Sequence, residues 1–246
     1  LLIGLLHAFG VLWLPKSALV LAFVAMALVL IVRPFGLLGR AEVTAHSRPP
    51  AHPPYQPAGT LLKIVAALAL AAAASAPLWA SEYTLVILTE MAILAVVAAS
   101  LHLFMSHGGI TSFGHAAFFG LGAYGAALAA KFAALPFAAG LLVGPLVAGA
   151  VAIGAGWFVL RAQGVYAAML TLALAQILWS VATQWVAVTG GDNGILGLWP
   201  PPPFDGKAAY YAMTLLLAVG SLWLARRAAM APFGFALRAA RDAPAR

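Results

Sequence analysis

The chain has 246 residues, of which 64% are hydrophobic and only 8% charged, with a formal net charge of +7 and no cysteine. So few charges cannot give a soluble domain its wet surface, and the bilayer is the expected solvent. Neither disulfides nor thiolate metal sites are available, and runs that are apolar on all sides argue against the alternating strands of a transmembrane β-barrel.

The chain opens with LLIGLLHAFG, without an initiator Met or a signal-peptide pattern, and stops at RDAPAR after a basic stretch. Both ends are expected to be cuts. Leu1 to Leu14 reads as the end of an earlier segment, and the first candidate span is 17–32. Residues 41–60, AEVTAHSRPPAHPPYQPAGT, carry Pro49, Pro50, Pro53, Pro54 and Pro57. These forbid a regular helix and favour extended, solvated backbone, so a cytoplasmic linker between two membrane units is expected.

Spans are expected next at 61–79 and 83–105. Glu90 in the second is the one acidic residue at membrane depth, and an intramembrane carboxylate is costly and a functional candidate. A position roughly two turns inside the outer interface would instead leave it hydrated. The span at 111–131 has small residues all round (Gly114, Ala116, Ala117, Gly120, Gly122, Ala123, Gly125, Ala126, Ala127), so it is expected to be central, with little lipid contact. Before it, Ser106 to Gly109 places adjacent glycines beside polar groups, as expected of a break or tight turn tolerated only against protein or a water-filled cavity. Thr111 or Ser112 is the expected cap of the new helix.

In 137–160, Gly140, Gly144, Ala148, Ala152 and Gly156 recur at every fourth position, the small-xxx-small pattern of close backbone approach in lipid. That segment is expected to be buried among neighbours. In 164–187, Gln176, Ser180, Thr183 and Gln184 fall within about a third of the helix circumference, with Tyr166 and Ala173 on the same side. The stripe fits a polar path or interhelical hydrogen bonding equally. Thr171 falls opposite and is expected to bond its own backbone. The loop from Val188 to Lys207, with TGGDNGI and Pro200 to Pro203, reads as a gate or partner contact, or as a stiff surface loop. After the last span, 208–225, Pro232 and Gly234 break the helix, and Phe235, Leu237 and Arg238 begin a short amphipathic stretch.

Alternating spans put Arg33, Arg40, Arg48, Lys63, Arg161, Arg226, Arg227, Arg238, Arg241 and Arg246 on one side. The other side receives Lys16, Lys131 and Lys207, with Glu82, Asp192 and Asp205. The arginine-rich side is therefore expected to be cytoplasmic, and the net positive charge reports topology; no nucleic-acid partner is implied.

Catalytic readings fare poorly. His102 and His107 are five residues apart, a poor same-face spacing, and no acidic partner completes a haem or metal site with His115. Ser106 beside His107 lacks an acidic orienter. GGDNG at 190–194 lacks the ending of a phosphate-binding loop, and none occurs elsewhere in the chain. Any ATP site would belong to another subunit.

Four stretches in order, GGITSFGHAAFFGLGAYGAAL, RAQGVYAAMLTLALAQIL, TGGDNGI and PFGFALRAARD, resemble the M-type permease of bacterial branched-chain amino acid ABC importers. LVLIVRPFGLLGR, from Leu28 to Arg40, resembles more briefly the closing helix and tail of the companion H-type permease. The resemblance implies an all-α, polytopic transmembrane helical bundle truncated at both ends. In it, residues 1–40 would be an H-type tail, 41–60 the linker, and 61–246 an M-type domain incomplete at its C-terminus.

The resemblance further implies a subunit of the bacterial plasma (inner) membrane that works by alternating access without chemistry of its own. An extracytoplasmic substrate-binding protein would deliver the amino acid, and two cytoplasmic ATPase subunits would use ATP, with no cofactor or metal held by this chain. The glycine-rich stretch would belong to the translocation core. Candidate path residues are then Ser112, His115, Tyr124, Tyr166, Gln176, Ser180 and Gln184, although His107 and His115 equally suit structural hydrogen bonding at a helix break. Thr189, Gly190, Gly191 and Asn193 would form the outer loop. Arg238, Arg241 and Asp242 would lead into the helix that couples to the ATPases, or else serve as a basic anchor. Importers of urea or short amides, and a non-transporting membrane scaffold or enzyme, are the competing readings.

Overall fold

A computed structural model describes residues 2–13, 18–33, 59–162 and 164–242, and every regular element among them is helical. Lys16, Arg40, Arg48, Arg246 and the linker prolines lie outside the described residues. The helices are α1 (Leu2–Trp13), α2 (Ala18–Val32), α3 (Thr60–Trp79), α4 (Glu82–Gly108), α5 (His115–Ala133), α6 (Phe137–Val159), α7 (Val165–Gln184), the single turn α8 (Val186–Thr189), α9 (Lys207–Met230) and α10 (Pro232–Asp242). Among the described residues, α3 to α7 and α9 are long and apolar enough to cross a bilayer. This is the expected polytopic helical membrane protein.

Four span boundaries differ from the sequence expectation by three residues or more, and the first is α4, which runs on through Gly108, past most of the break expected at Ser106 to Gly109. Helix α5 begins at His115 because the backbone from Gly109, with φ of 68°, to Gly114 stays non-helical. Helix α7 stops at Gln184, where Trp185 leaves helical geometry at ψ 59°. Helix α9 runs on to Met230, since arginines are good helix formers and favourable near a helix C-terminus. Ala231 then takes the extended conformation that a following proline favours.

The helices form two compact units, one holding α1, α2 and α5 to α8, the other α3, α4, α9 and α10. Lipid tails are as apolar as leucine, so helices associate here through close packing and hydrogen bonds more than through apolar burial. In the first unit, Ala27 and Leu30 of α2 pack against Ala167, Leu170 and Ala173 of α7. In the second, the buried Tyr211 of α9 lies against Ala76 and Leu85, and its hydroxyl donates to the Ala73 carbonyl of α3 at 2.7 Å. Lys207 and Glu82 pair at 2.7 Å between α9 and α4, but both are exposed and the pair contributes little.

The small-residue stripe of α6 is only partly used. Carbonyl oxygen of Gly122 on α5 lies 2.6 Å from where a Cβ on Gly144 would sit, and Gly140 faces Ala126 at 3.6 Å, yet nothing approaches Gly156 within 4 Å. Every fourth residue of an α-helix drifts by about 40°, so the stripe walks away from a straight neighbour. On α5, Gly125 meets Val147 at 3.0 Å and is the buried residue of that helix. The expected enclosure of α5 and α6 is not found among the described residues, where α6 covers one face of α5.

Candidate functional site

Thr171 organises the turn that enters α5. Its hydroxyl donates to the Ala168 carbonyl at 2.8 Å, the expected bond to its own helix, and also accepts the Phe113 amide at 3.1 Å. A Cβ on Gly114 would collide with the Thr171 carbonyl oxygen, so glycine is required for this approach. The expectation that Thr111 or Ser112 caps α5 is thereby corrected. The cap position is Gly114, without a side-chain cap bond, and the turn is held from α7 instead. Ser112 is buried in this turn.

With α5 fixed to α6 on one face and to α7 through this turn, a cavity of about 490 Å³ remains between α5, α7 and α8. Phe113, Ala116, Gly120 and Tyr124 line it from the α5 side, Leu172, Gln176 and Trp179 from α7, and Trp185 and Thr189 from the α8 end. Most of the lining is apolar. Tyr124 and Gln176 each lie near the middle of their helix, the depth at which an uncompensated polar group is most costly in lipid and at which transporters bind their substrates.

The structure thus brings together Tyr124, Gln176 and Thr189 and separates the other candidates. Tyr166 packs against the cluster shared by α2 and α7, because that edge of the α7 stripe faces α2. Ser180 is buried and accepts a 2.8 Å bond from the Gln184 amide. Thr183 turns back to the carbonyls of Trp179 and Ser180. His115 stands at the first position of α5, outside the cavity lining. Among the lining residues, Phe113, Trp179 and Trp185 carry no expectation from the sequence, and Gly120 is expected there only as one of the small residues around α5. A search for polar residues does not find an apolar cavity, and in a chain this rich in aromatics no spacing singles them out.

The TGGDNGI loop is built around Thr189 and its glycines. The Thr189 hydroxyl lies 2.6 Å from the Ala182 carbonyl and 2.8 Å from that of Trp185, and accepts the Gly191 amide at 3.3 Å. Gly190, Gly191 and Gly194 have φ of 81°, 61° and 68°, the left-handed region that favours glycine. A Cβ on Gly190 would also collide with the Gly194 carbonyl. Asn193 is exposed at the tip. The loop is therefore an ordered closure on the end of α7.

In the second unit, α10 folds back at Gly234, where a Cβ would strike the Ala228 and Ala229 carbonyls. Pro232 occupies the first helical position, where its missing amide is harmless. The helix therefore starts at Pro232, ahead of the expected Phe235. Arg241 donates to the Ser106 carbonyl of α4 and pairs with Asp242 at 2.7 Å. The Ser106 hydroxyl lies 2.9 Å from Nδ1 of the buried His107. Phe233 and Phe235 remain exposed on α10, and Glu90 is exposed on α4. Of the expected coupling residues, Arg241 fastens α10 to α4 and pairs with Asp242 on its own helix, while Arg238 is half-buried with its Nε enclosed.

Residues 83–246 match the protein family described as the branched-chain amino acid transport system permease component. The chain is 29% identical over 208 residues to the high-affinity branched-chain amino acid transport system permease protein LivM of Escherichia coli strain K12, covering 74% of this chain and 48% of that protein. It is 27% identical over 193 residues to the LivM protein of Salmonella typhimurium, covering 68% of this chain and 45% of that protein. The chain spans about half the length of these curated relatives. No solved structure matches it significantly.

Proposed function

Because the chain belongs to the family of branched-chain amino acid transport permease components, we propose that it is a membrane permease subunit of an ATP-driven importer that moves branched-chain, hydrophobic amino acids into the cytoplasm. It is a multi-pass inner-membrane protein. The single observation that carries the substrate reading is the cavity between α5 and α7, with its apolar lining and its two mid-helix polar residues, Tyr124 and Gln176. Such a lining suits an aliphatic side chain better than urea or a short amide, which would leave apolar walls facing a fully polar solute.

In this reading the chain transports without chemistry of its own and binds no cofactor. Two cytoplasmic ATPase subunits supply the ATP-driven step, an extracytoplasmic binding protein delivers the substrate, and a companion H-type permease, fused through residues 41–60, forms the other half of the path. Arg238 and the exposed face of α10 meet the ATPases, while the loop at Thr189 to Asn193 faces the delivery side. Uptake of radiolabelled leucine and of urea into proteoliposomes holding the complete transporter tests this. Leucine uptake that requires ATP and the binding protein is expected. Urea uptake without leucine uptake would overturn the reading.

A further inference from the structure

The glycines of α5 do not all serve the same purpose. Gly122 and Gly125 face α6, where Gly144 and Val147 come close, so their small size is used in helix packing. Gly120 differs. It lines the cavity one turn before Tyr124, and a Cβ built on it would meet no heavy atom within 4 Å. It has no positive φ that would require glycine. A glycine inside a helix is less favourable than alanine by about 0.5–1 kcal/mol, and at Gly120 neither packing nor backbone geometry within the unit offsets that cost. What a side chain at this position would take up is the cavity itself.

Resting on the amino-acid importer reading above, we propose that the cavity receives the apolar side chain of the transported amino acid and that Gly120 is the specificity-determining position, setting how large a side chain the permease passes. Trp179, Leu172 and Phe113 supply the apolar walls. Tyr124 and Gln176, whose hydroxyl and amide are each both donor and acceptor, line the same cavity from α5 and α7 and supply partners for the polar end of the same solute. A lipid acyl chain is the competing occupant of an open apolar cavity, and Gln176 near the middle of α7 argues against it, since a lipid-filled groove gives that amide no partner. Discrimination by side-chain size is therefore built into the membrane subunit, in addition to any made by a delivering protein.

The test uses the complete transporter in proteoliposomes, with Gly120→Ala, Gly120→Val and Gly120→Leu compared with the unchanged chain. Gly154→Leu on α6 is the reference, a second glycine with open space around it that does not line the cavity. Uptake of leucine, valine and alanine is measured in each. The expected result is a graded fall in the leucine-to-alanine ratio along the Gly120 series, reaching about tenfold in Gly120→Leu, with the ratio unchanged in Gly154→Leu. Should the largest variant fail to assemble, Gly120→Ala, which introduces a single methyl into open space, still decides by its ratio. A ratio unchanged across the series overturns the proposal and leaves the importer reading standing. Loss of a copurifying lipid with an unchanged ratio assigns the cavity to an acyl chain and overturns it equally. An unchanged transporter that carries urea and no leucine sinks the importer reading itself, whatever the series shows.

Discussion

The Arg241 guanidinium on α10 donates to the backbone carbonyl of Ser106, near the C-terminal end of α4. The last carbonyls of a helix lack intrahelical donors and carry the negative end of its dipole, so a cation there is doubly favourable. Arg241→Ala is expected to free α10, raising amide exchange across residues 232–242 by about tenfold, the effect of losing one charged hydrogen bond. Arg238→Glu, which reverses the charge of a half-buried side chain, is expected to weaken copurification with the ATPases. Equal exchange in Arg241→Ala and the unchanged protein would show that α10 is held by its packing alone.

Close approach of α5 and α6 makes an asymmetric prediction. A methyl on Gly144 would sit 2.6 Å from the Gly122 carbonyl oxygen, and backbone cannot yield cheaply, whereas a methyl on Gly122 meets ordinary contacts at 3.6 Å and beyond. Gly144→Ala is expected to destabilise the folded protein by about 1–3 kcal/mol, and Gly122→Ala by much less. Thermal unfolding in detergent compares them, and equal midpoints would remove the packing account.

Thr171 reads from the sequence as an off-stripe residue, fit to be a neutral reference for changes at Gln176. Its bond to the Phe113 amide makes it a fastening between α7 and the turn before α5. Thr171→Val should leave that partly buried amide unsatisfied and cost about 1–3 kcal/mol, with Thr171→Ser retaining most of the stability. Equal stability of the valine and threonine proteins in thermal unfolding would contradict this role.

Gln176 and Gln184 share a stripe but not a fate. Gln176→Leu is expected to lower leucine uptake with folding and ATPase binding intact, because it removes a polar group from the cavity. Gln184→Leu removes a bond to Ser180 within α7 and is expected to change uptake little. Equal loss in both, measured as initial uptake rates, would return the stripe to a single role.

The helices were legible in the sequence because length and apolar character suffice to mark a span, and the ends were less so because they depend on distant partners. Nothing local predicts that α5 waits until His115; the reason lies in Thr171, more than fifty residues on, as the separation of the Phe113 and Thr171 bond partners shows. Likewise Tyr166, Gln176 and Ser180 share one face of an isolated helix, but α2 covers one edge of it and the cavity opens at the other. Periodicity finds a face; it does not say which neighbour each part of the face meets. The motif GGITSFGHAAFFGLGAYGAAL contains the α5 wall of the cavity, and which of its glycines pack and which line the cavity depends on where α6 and α7 lie.

The absence of cysteine from the chain permits a direct measurement on the cavity. Ala116→Cys places one thiol in the lining, and Asp205→Cys places one on the exposed loop before α9, outside it. Maleimide labelling of each, followed on its own peptide in the complete transporter, is compared with and without saturating leucine. Leucine is expected to slow labelling at Ala116→Cys in proportion to its occupancy and to leave Asp205→Cys unchanged. Labelling at Ala116→Cys that is indifferent to leucine throughout the transport cycle would contradict a substrate path between α5 and α7.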